Sequence, residues 1–211
     1  MRKLAVFDID GTLHWTEVMS REVYGTVMPM FGLEPPTDET LFSTYGCTSD
    51  KILDILGIER FPDLREAFLR ELEAEEVRQM PLVGKCYEGA IETLRLLRDD
   101  RVEAALCSMC PTVYMDAFAD SFGIGELIRY RRDESDGSDK GKLLESLIVE
   151  SSADRAVMVG DRHFDIEAAR FCGVPFIGCT YGYAPDEIKG ADIAVRTAKE
   201  LYAAITDLME R

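Results

Sequence analysis

Two aspartates stand one residue apart where the first apolar run of the chain ends. The run Leu4 to Phe7 leads directly into "DID" at 8–10. Alternate residues of an extended strand project to the same side, so the carboxylates of Asp8 and Asp10 are expected to lie close together. Like charges held so close require a proton or a cation between them. The pair therefore predicts a site for Mg²⁺, which prefers oxygen ligands and keeps coordination positions for water or phosphate.

A second acidic pair follows a later apolar run, within "GDRHFD" at 160–165. Asp161 ends the run, and Asp165 lies four residues further on, near a predicted helix start, where it can face the same way. Taken alone, these residues are explained equally well as a helix cap or a solvated turn. Combined with "DID", they indicate a metal site with four candidate ligands: Asp8, Asp10, Asp161 and Asp165.

Ser108, Lys140 and Lys142 are candidates for binding a phosphoryl group. Ser108 stands between a predicted strand and a predicted helix, where its hydroxyl and nearby N–H groups could hold phosphate oxygens. Lys140 and Lys142 begin the helix that leads to "GDRHFD", and either could balance phosphoryl charge. A serine at such a point is more often a simple cap, and a lysine is more often a surface residue. Their positions at a predicted strand end and a predicted helix start favour a phosphate-binding role, but both lysines remain candidates.

The elements that must position these residues alternate along the chain. Five apolar runs predict strands, and amphipathic stretches between them predict helices. This alternation predicts an α/β fold with a Rossmann-like parallel sheet covered on both faces, whose ligands bind at the carboxyl ends of the strands. The polar stretch 131–142 is interpreted as a loop. The predicted strands are 3–8, 102–108, 156–161, 175–180 and 191–196, and the predicted helices are 87–99, 111–122, 140–150 and 165–172.

One region interrupts the alternation. From about 17 to 80 the sequence has helical spacing and no strand pattern, including the segment 61–80. Prolines and a glycine separate the helical stretches. We therefore predict a core formed by 1–16 and 81–211 and an inserted all-helical cap formed by 17–80, with hinges near Leu13–Glu17 and Pro81–Gly84.

Composition excludes several function classes. The chain has 211 residues and a formal net charge of −16, so it is not expected to bind nucleic acid by simple attraction. No apolar run is long enough to span a membrane, and no signal peptide is evident, so a cytoplasmic protein is expected. Six cysteines include one C-x-x-C, Cys107 to Cys110, which lacks a second pair at zinc-ligand spacing. Buried free thiols are the favoured interpretation.

The motifs resemble those of a known family. "DIDGTL" at 8–13, Ser108, Lys140 and "GDRHFD" at 160–165 are similar in order and spacing to the four motifs of the haloacid dehalogenase-like hydrolases. The helical insertion resembles the cap of the phosphoglycolate phosphatase-like branch, and "GCTYGYAPDEI" at 178–188 is similar to a stretch of that branch. The resemblance covers nearly the whole chain.

The resemblance implies a phosphoric monoester hydrolase that acts on a small phosphorylated metabolite, such as a phosphoglycolate-like, sugar or nucleotide phosphate. Asp8 would attack phosphorus to form an aspartyl-phosphate, and Asp10 would protonate the leaving oxygen and then activate water. Ser108 and Lys140 would hold the transferred group, with Lys140 preferred to Lys142 because "KGKLL" resembles the family's lysine followed by a helix. The resemblance also implies a set of Mg²⁺ ligands: Asp8, the carbonyl of Asp10, Asp161 and, through water, Asp165.

Departures from the family pattern concern specificity. His14, Trp15 and Thr16 follow "DGTL", and Met109 and Cys110 follow Ser108, where the branch commonly has other residues. The usual phosphoglycolate specificity is therefore in question. The cap segment Gly46–Lys51 is expected to face the substrate.

Alternative functions would require different residues or elements. A dehalogenase would not need Asp10, because no leaving oxygen takes up a proton. A signalling receiver has no helical insertion, and its acceptor is not the first aspartate of such a pair. A phosphomutase of the β-phosphoglucomutase type and a non-catalytic phospho-acceptor or binding protein remain alternatives, and the sequence leaves the oligomeric state open.

Overall fold

Six parallel strands form one sheet in the order β3-β2-β1-β4-β5-β6. The computed structural model describes residues 1–58 and 62–210. The strands are β1 (Lys3–Phe7), β2 (Val102–Cys107), β3 (Ile128–Arg132), β4 (Arg155–Gly160), β5 (Phe176–Cys179) and β6 (Ile193–Val195). The predicted α/β class with a Rossmann-like parallel sheet is confirmed.

Helices cover both faces of the sheet because alternate strand residues point to opposite sides. Ala5 and Phe7 of β1 pack into one apolar cluster, whereas Leu4 and Val6 pack into the other. The first cluster includes residues of α5 (Ala90–Asp99), α6 (Thr112–Ser121) and α9 (Leu201–Glu210). The second cluster includes residues of α7 (Lys140–Ser151) and α8 (His163–Cys172).

The strand order reverses beside β1, because β2 and β3 lie on one side of it and β4 to β6 on the other. Phe7 pairs with Leu106 of β2 and with Val159 of β4. The residues that follow these three strands therefore emerge at one edge of the sheet, at the point where an open α/β sheet binds its ligand. Asp8, Ser108 and Asp161 all follow at this edge.

Between β1 and α5, the described residues form four α-helices joined by turns and loops. These helices are α1 (Glu17–Met30), α2 (Asp38–Thr44), α3 (Ser49–Ile55) and α4 (Pro62–Val83). Helix α4 continues through Pro81, so the 80/81 boundary of the predicted cap falls inside a helix. Phe61, the first residue of the segment predicted to be helical, lies outside the described residues. The division into a core and a cap stays a prediction.

Two linkers join this helical insertion to the rest of the chain, and they lie side by side. The N–H of Trp15 donates to the carbonyl of Lys85 at 2.7 Å, and the N–H of Tyr87 donates to the carbonyl of Leu13 at 3.0 Å. These two hydrogen bonds therefore join the linker that precedes α1 to the linker that follows α4.

Two elements differ from the sequence-based expectation. Strand β3 includes Arg131 and Arg132, which were assigned to a loop. It is an edge strand whose residues after Ile128 are exposed or half-buried, so its sequence lacks an apolar run. Helix α9, at the C-terminal end of the chain, was not predicted. Across 1–58 and 62–210, no helix combines the length and apolarity needed to cross a membrane.

Candidate active site

Three of the predicted metal ligands converge at the strand ends. Carboxylate oxygens of Asp8, Asp161 and Asp165 all lie within 4.8 Å of one another, and the three side chains are buried. Asp8 follows β1, Asp161 follows β4, and Asp165 lies in the first turn of α8. Asp8 Oδ2 and Asp161 Oδ1 have no hydrogen-bond partner among the described residues. Each is therefore a buried acceptor that lacks a donor.

Lys140 is the cation of this cluster. Its Nζ lies 2.6 Å from Asp8 Oδ1 and 2.6 Å from Asp165 Oδ1. Burial acts to lower the pKa of Lys140, but the carboxylates of Asp165 and Asp8 outweigh burial and raise it, so the ammonium stays charged. Lys142, the other lysine considered from the sequence, is exposed to solvent.

The pKa of Asp8 is raised to about 7. Burial is the largest cause, and the negative charges of Asp165 and Asp10 add to it, whereas Lys140 acts in the opposite direction. The pKa of Asp161 is also raised well above its usual value, first by burial and then by Asp165 and Asp8. The cluster as it stands therefore has more negative charge than its single ammonium can balance.

Backbone donors fix the orientation of the second acidic pair. The N–H of Tyr183 donates to Asp161 Oδ2 at 2.7 Å. Asp165 Oδ2 accepts from the N–H of Asp161 at 3.1 Å and from the N–H of Arg162 at 3.0 Å. Asp165 thereby satisfies N–H groups at the start of α8, as acidic residues at helix starts commonly do.

Glycines let the backbone approach Asp161 from two sides. Gly11 has φ +74, and a Cβ built on it would lie 2.3 Å from Asp161 Oδ2. A Cβ on Gly182 would lie 2.3 Å from Asp161 Cβ. Any side chain at either position would displace the carboxylate, which explains why the glycines of "DGTL" and "YGY" are needed here.

These residues fit a hard divalent cation. The donor set consists of carboxylate oxygens, two of which are buried without a partner. A divalent cation would supply the missing partner and would offset the excess negative charge around Lys140. The described residues thus provide candidate ligands, and an electrostatic reason, for a divalent cation.

Asp10 lies beside this cluster and is held by hydroxyl groups. Its Oδ1 accepts from Thr16 Oγ1 at 2.7 Å and from the Tyr114 hydroxyl at 2.6 Å. The Nδ1 of His14 lies 3.7 Å from the same oxygen. Burial acts to raise the pKa of Asp10, but His14, Tyr114 and Thr16 together outweigh burial and lower it.

Ser108 occupies the predicted position at the end of β2. It is fully buried, and its N–H donates to the carbonyl of Arg132 at 3.1 Å. Its hydroxyl lies beside the Cys110 thiol. The structure thus brings six of the candidate residues to one edge of the sheet, namely Asp8, Asp10, Ser108, Lys140, Asp161 and Asp165, whereas Lys142 is exposed.

The sequence pattern of the haloacid dehalogenase-like hydrolases matches residues 5–179. The chain belongs to this family. The hydrolase is 27% identical over 195 residues to a phosphoglycolate phosphatase of Agrobacterium fabrum, covering 85% of this chain and 81% of the relative. It is 24% identical over 213 residues to a validoxylamine A 7′-phosphate phosphatase of Streptomyces hygroscopicus subsp. limoneus, covering 95% and 96%.

A solved structure confirms the fold. The crystal structure of a predicted phosphoglycolate phosphatase from Haemophilus somnus superposes on the hydrolase with a TM-score of 0.84 at 21% identity, covering 96% of this chain and 97% of the other. The family and its phosphatase relatives agree with the phosphoric monoester hydrolase expected from the sequence motifs.

Hydrogen bonds between the helical insertion of the hydrolase and the loops at the strand ends include those of Glu134 and Arg162. Glu134, in the loop after β3, accepts from Ser49 N at 2.7 Å and from Ser49 Oγ at 2.5 Å. Arg162 donates to the carbonyl of Tyr45 at 2.6 Å and to Glu187 at 3.0 Å. These contacts hold the segment around Gly46 against the core.

Sequence reasoning missed the groups that hold Asp10. From the sequence, Thr16 is only a departure from the family pattern, and Tyr114 is one residue of a predicted amphipathic helix. One signal was present, because Tyr114 lies in the first turn of the helix that follows Ser108 and so starts at the same sheet edge. The cysteines behave as expected: all six are free, and Cys107, Cys110 and Cys179 are buried.

Proposed function

We propose that this hydrolase is a Mg²⁺-dependent phosphatase that cleaves a small phosphate monoester through an aspartyl-phosphate on Asp8. The observation that supports it most directly is the state of the Asp8 carboxylate. Lys140 binds Oδ1, whereas Oδ2 is buried and has no partner. One oxygen is thus paired with Lys140, and the other makes no hydrogen bond to the described residues.

In the first step Asp8 would attack phosphorus in line with the leaving oxygen. A P–O bond to Asp8 forms while the bond between phosphorus and the leaving group breaks. Lys140 and Ser108 would hold the transferred phosphoryl oxygens, because Lys140 Nζ lies 2.6 Å from Asp8 Oδ1 and Ser108 follows β2, the strand beside that of Asp8. Positioning and charge stabilisation are the main contributions that a protein makes to phosphoryl transfer.

Asp10 would protonate the leaving oxygen and then take a proton from the water that hydrolyses the aspartyl-phosphate. Thr16 and Tyr114 fix one of its oxygens, so the carboxyl group has a defined direction. The contacts that lower its pKa favour its action as a base in the second step. A phosphate dianion bound nearby would raise that pKa and so favour its action as an acid in the first.

Mg²⁺ would be held by Asp8, the carbonyl of Asp10 and Asp161, with Asp165 supporting it through water. When bound, this cation would neutralise phosphate charge and so allow one anion to approach another. The relatives act on two different esters according to their names, so membership of the family does not select the substrate.

The test is phosphate release from a panel of small phosphorylated molecules, with Mg²⁺ and with excess chelator. The panel contains phosphoglycolate, sugar phosphates, nucleoside monophosphates and pyrophosphate. We expect release that depends on Mg²⁺ and is abolished by Asp8→Asn, in protein that retains its circular dichroism spectrum. Asp54→Asn, on the exposed side of α3, is the matched control and should retain activity.

Substantial turnover by folded Asp8→Asn protein would overturn the covalent mechanism. Undiminished turnover in excess chelator would overturn the metal requirement. Transfer of phosphate between positions of a sugar phosphate, without release, would indicate a phosphomutase instead.

A further inference from the structure

A narrow cavity lies between the helical insertion and the loop that carries Asp10. About 50 Å³ of it is open to water-sized molecules. A single water occupies roughly 10–15 Å³ of such a volume, so the cavity has room for a group of only a few heavy atoms. Gly46, Cys47 and Ser49, which belong to the segment predicted to face the substrate, line it.

The lining of the cavity is acidic. Asp10 lines it from the core, and Glu73 and Glu76 line it from α4. No Lys, Arg or His is among the described residues that line it. The other polar groups of the lining are mainly hydroxyls: Thr16, Ser20, Tyr24, Thr44, Tyr45, Ser49 and Tyr114. A bound group therefore meets carboxyl groups and hydroxyls, which can donate or accept hydrogen bonds, and no cation among the described lining residues.

Glu76 differs in its contacts from the residue beside it on α4. Its sequence neighbour Glu75 pairs with Arg78 at 2.5 Å and accepts from Gln79 at 2.8 Å. No hydrogen bond or ion pair to Glu76 is found in the described part of the chain, and the residue is partly buried. Burial raises its pKa to about 8, and Asp10, Glu73 and Glu134 add to the rise. A carboxyl group in this position is stabilised by any cation that enters the cavity.

We propose that the cavity binds the leaving group of the substrate and that this leaving group carries a protonated amine, which Glu76 and Glu73 bind. This inference rests on the proposed phosphatase function. A carboxylate at the same place would meet Asp10, Glu73 and Glu76 in a confined space, with no cation among the described lining residues to offset any of them that is ionised. A leaving group that ends in a carboxylate, as in phosphoglycolate, is therefore disfavoured.

The experiment compares three esters of similar size: phosphoethanolamine, phosphoglycolate and ethyl phosphate. Their leaving groups carry a positive, a negative and no charge. We expect kcat/KM for phosphoethanolamine to exceed that for each of the other two at least tenfold. Glu76→Gln should reduce this preference at least tenfold, and Glu73→Gln should reduce it as well.

Glu66→Gln is the matched control. It makes the same change on the same helix, but Glu66 is exposed and does not line the cavity. Its preference among the esters should equal that of the unmodified protein. Binding of the three esters to Asp8→Asn protein, measured by calorimetry, supplies a second readout that does not require turnover.

The outcomes separate the two proposals. Release that depends on Asp8 but favours phosphoglycolate or ethyl phosphate would overturn the amine inference and leave the phosphatase standing. The same holds if Glu76→Gln and Glu66→Gln have equal effects. Absence of release from any ester, together with tight binding of phosphoethanolamine, would overturn the phosphatase and leave the cavity's preference standing. Absence of binding as well would overturn both.

Discussion

Lys140 provides the most direct test of the electrostatics of the site. Its ammonium forms two contacts of 2.6 Å, to Asp8 and to Asp165. With an effective dielectric constant of about 20, each contact corresponds to a gross attraction of about 6 kcal/mol. Much of this is offset by the cost of removing the charges from water, and deleting one partner of a buried ion pair costs about 3–5 kcal/mol.

Lys140→Met keeps the length of the side chain and removes its charge. We expect the free energy of unfolding, measured with denaturant in chelator, to fall by about 3–5 kcal/mol. The fall should be smaller at pH 5 than at pH 8, because Asp8, whose pKa is about 7, takes up a proton at the lower pH and ceases to require a cation. Added Mg²⁺ should restore part of the lost stability.

Turnover should respond to the same substitution. Removing a group that stabilises transferred charge costs about a hundredfold or more in kcat. Lys142→Met is the matched control, since Lys142 lies two residues away on the same helix and is exposed. Equal effects of the two substitutions on stability and kcat would refute the assignment of Lys140 as the cation of the site.

Three further predictions concern single side chains. Tyr114→Phe removes a hydrogen bond of 2.6 Å from Asp10, so the limb of the pH–kcat profile that reports Asp10 should move up by about one pH unit. Gly11→Ala forces a Cβ against Asp161, so the Mg²⁺ concentration for half-maximal activity should rise at least tenfold. Glu76→Gln removes a carboxyl whose folded pKa, about 8, exceeds its usual 4.5, so ionisation destabilises the folded protein as pH rises through this range. Its gain in unfolding free energy should therefore be larger at pH 9 than at pH 5, by more than about 1 kcal/mol.

Each of these changes has a control. Tyr130→Phe also removes a tyrosine hydroxyl but lies away from Asp10, and an equal shift of its pH profile would contradict the role of Tyr114. Gly32→Ala has a similar positive φ, +70, with open space around its Cβ, so it isolates the cost of the backbone conformation. If Gly32→Ala changes the Mg²⁺ requirement as much as Gly11→Ala does, crowding of Asp161 is not the cause. A pH-independent gain for Glu76→Gln would show that Glu76 does not titrate in this range.

The sequence alone was sufficient for the fold class and for the strand ends that carry chemistry. Short apolar runs that end in Asp8, Ser108 and Asp161 are local patterns, because a strand buried on both faces needs a continuous apolar sequence. Their meeting at one edge follows from parallel pairing. The edge strand β3 was not predicted, because most of its residues are exposed or half-buried and its sequence therefore has no continuous apolar run.

Other features were decided only by the tertiary structure. The choice of Lys140 over Lys142 depends on which side of α7 faces the sheet. Both residues are lysines and they lie two positions apart, so residue type and position in the sequence do not show which one enters the site. The contact of Tyr114 with Asp10 spans 104 residues, and it exists only because β1 and β2 are neighbours. The acidic lining contributed by Glu73 and Glu76 was hidden among the many charged residues of α4, since a sequence cannot show which of a helix's charges face water and which face a cavity.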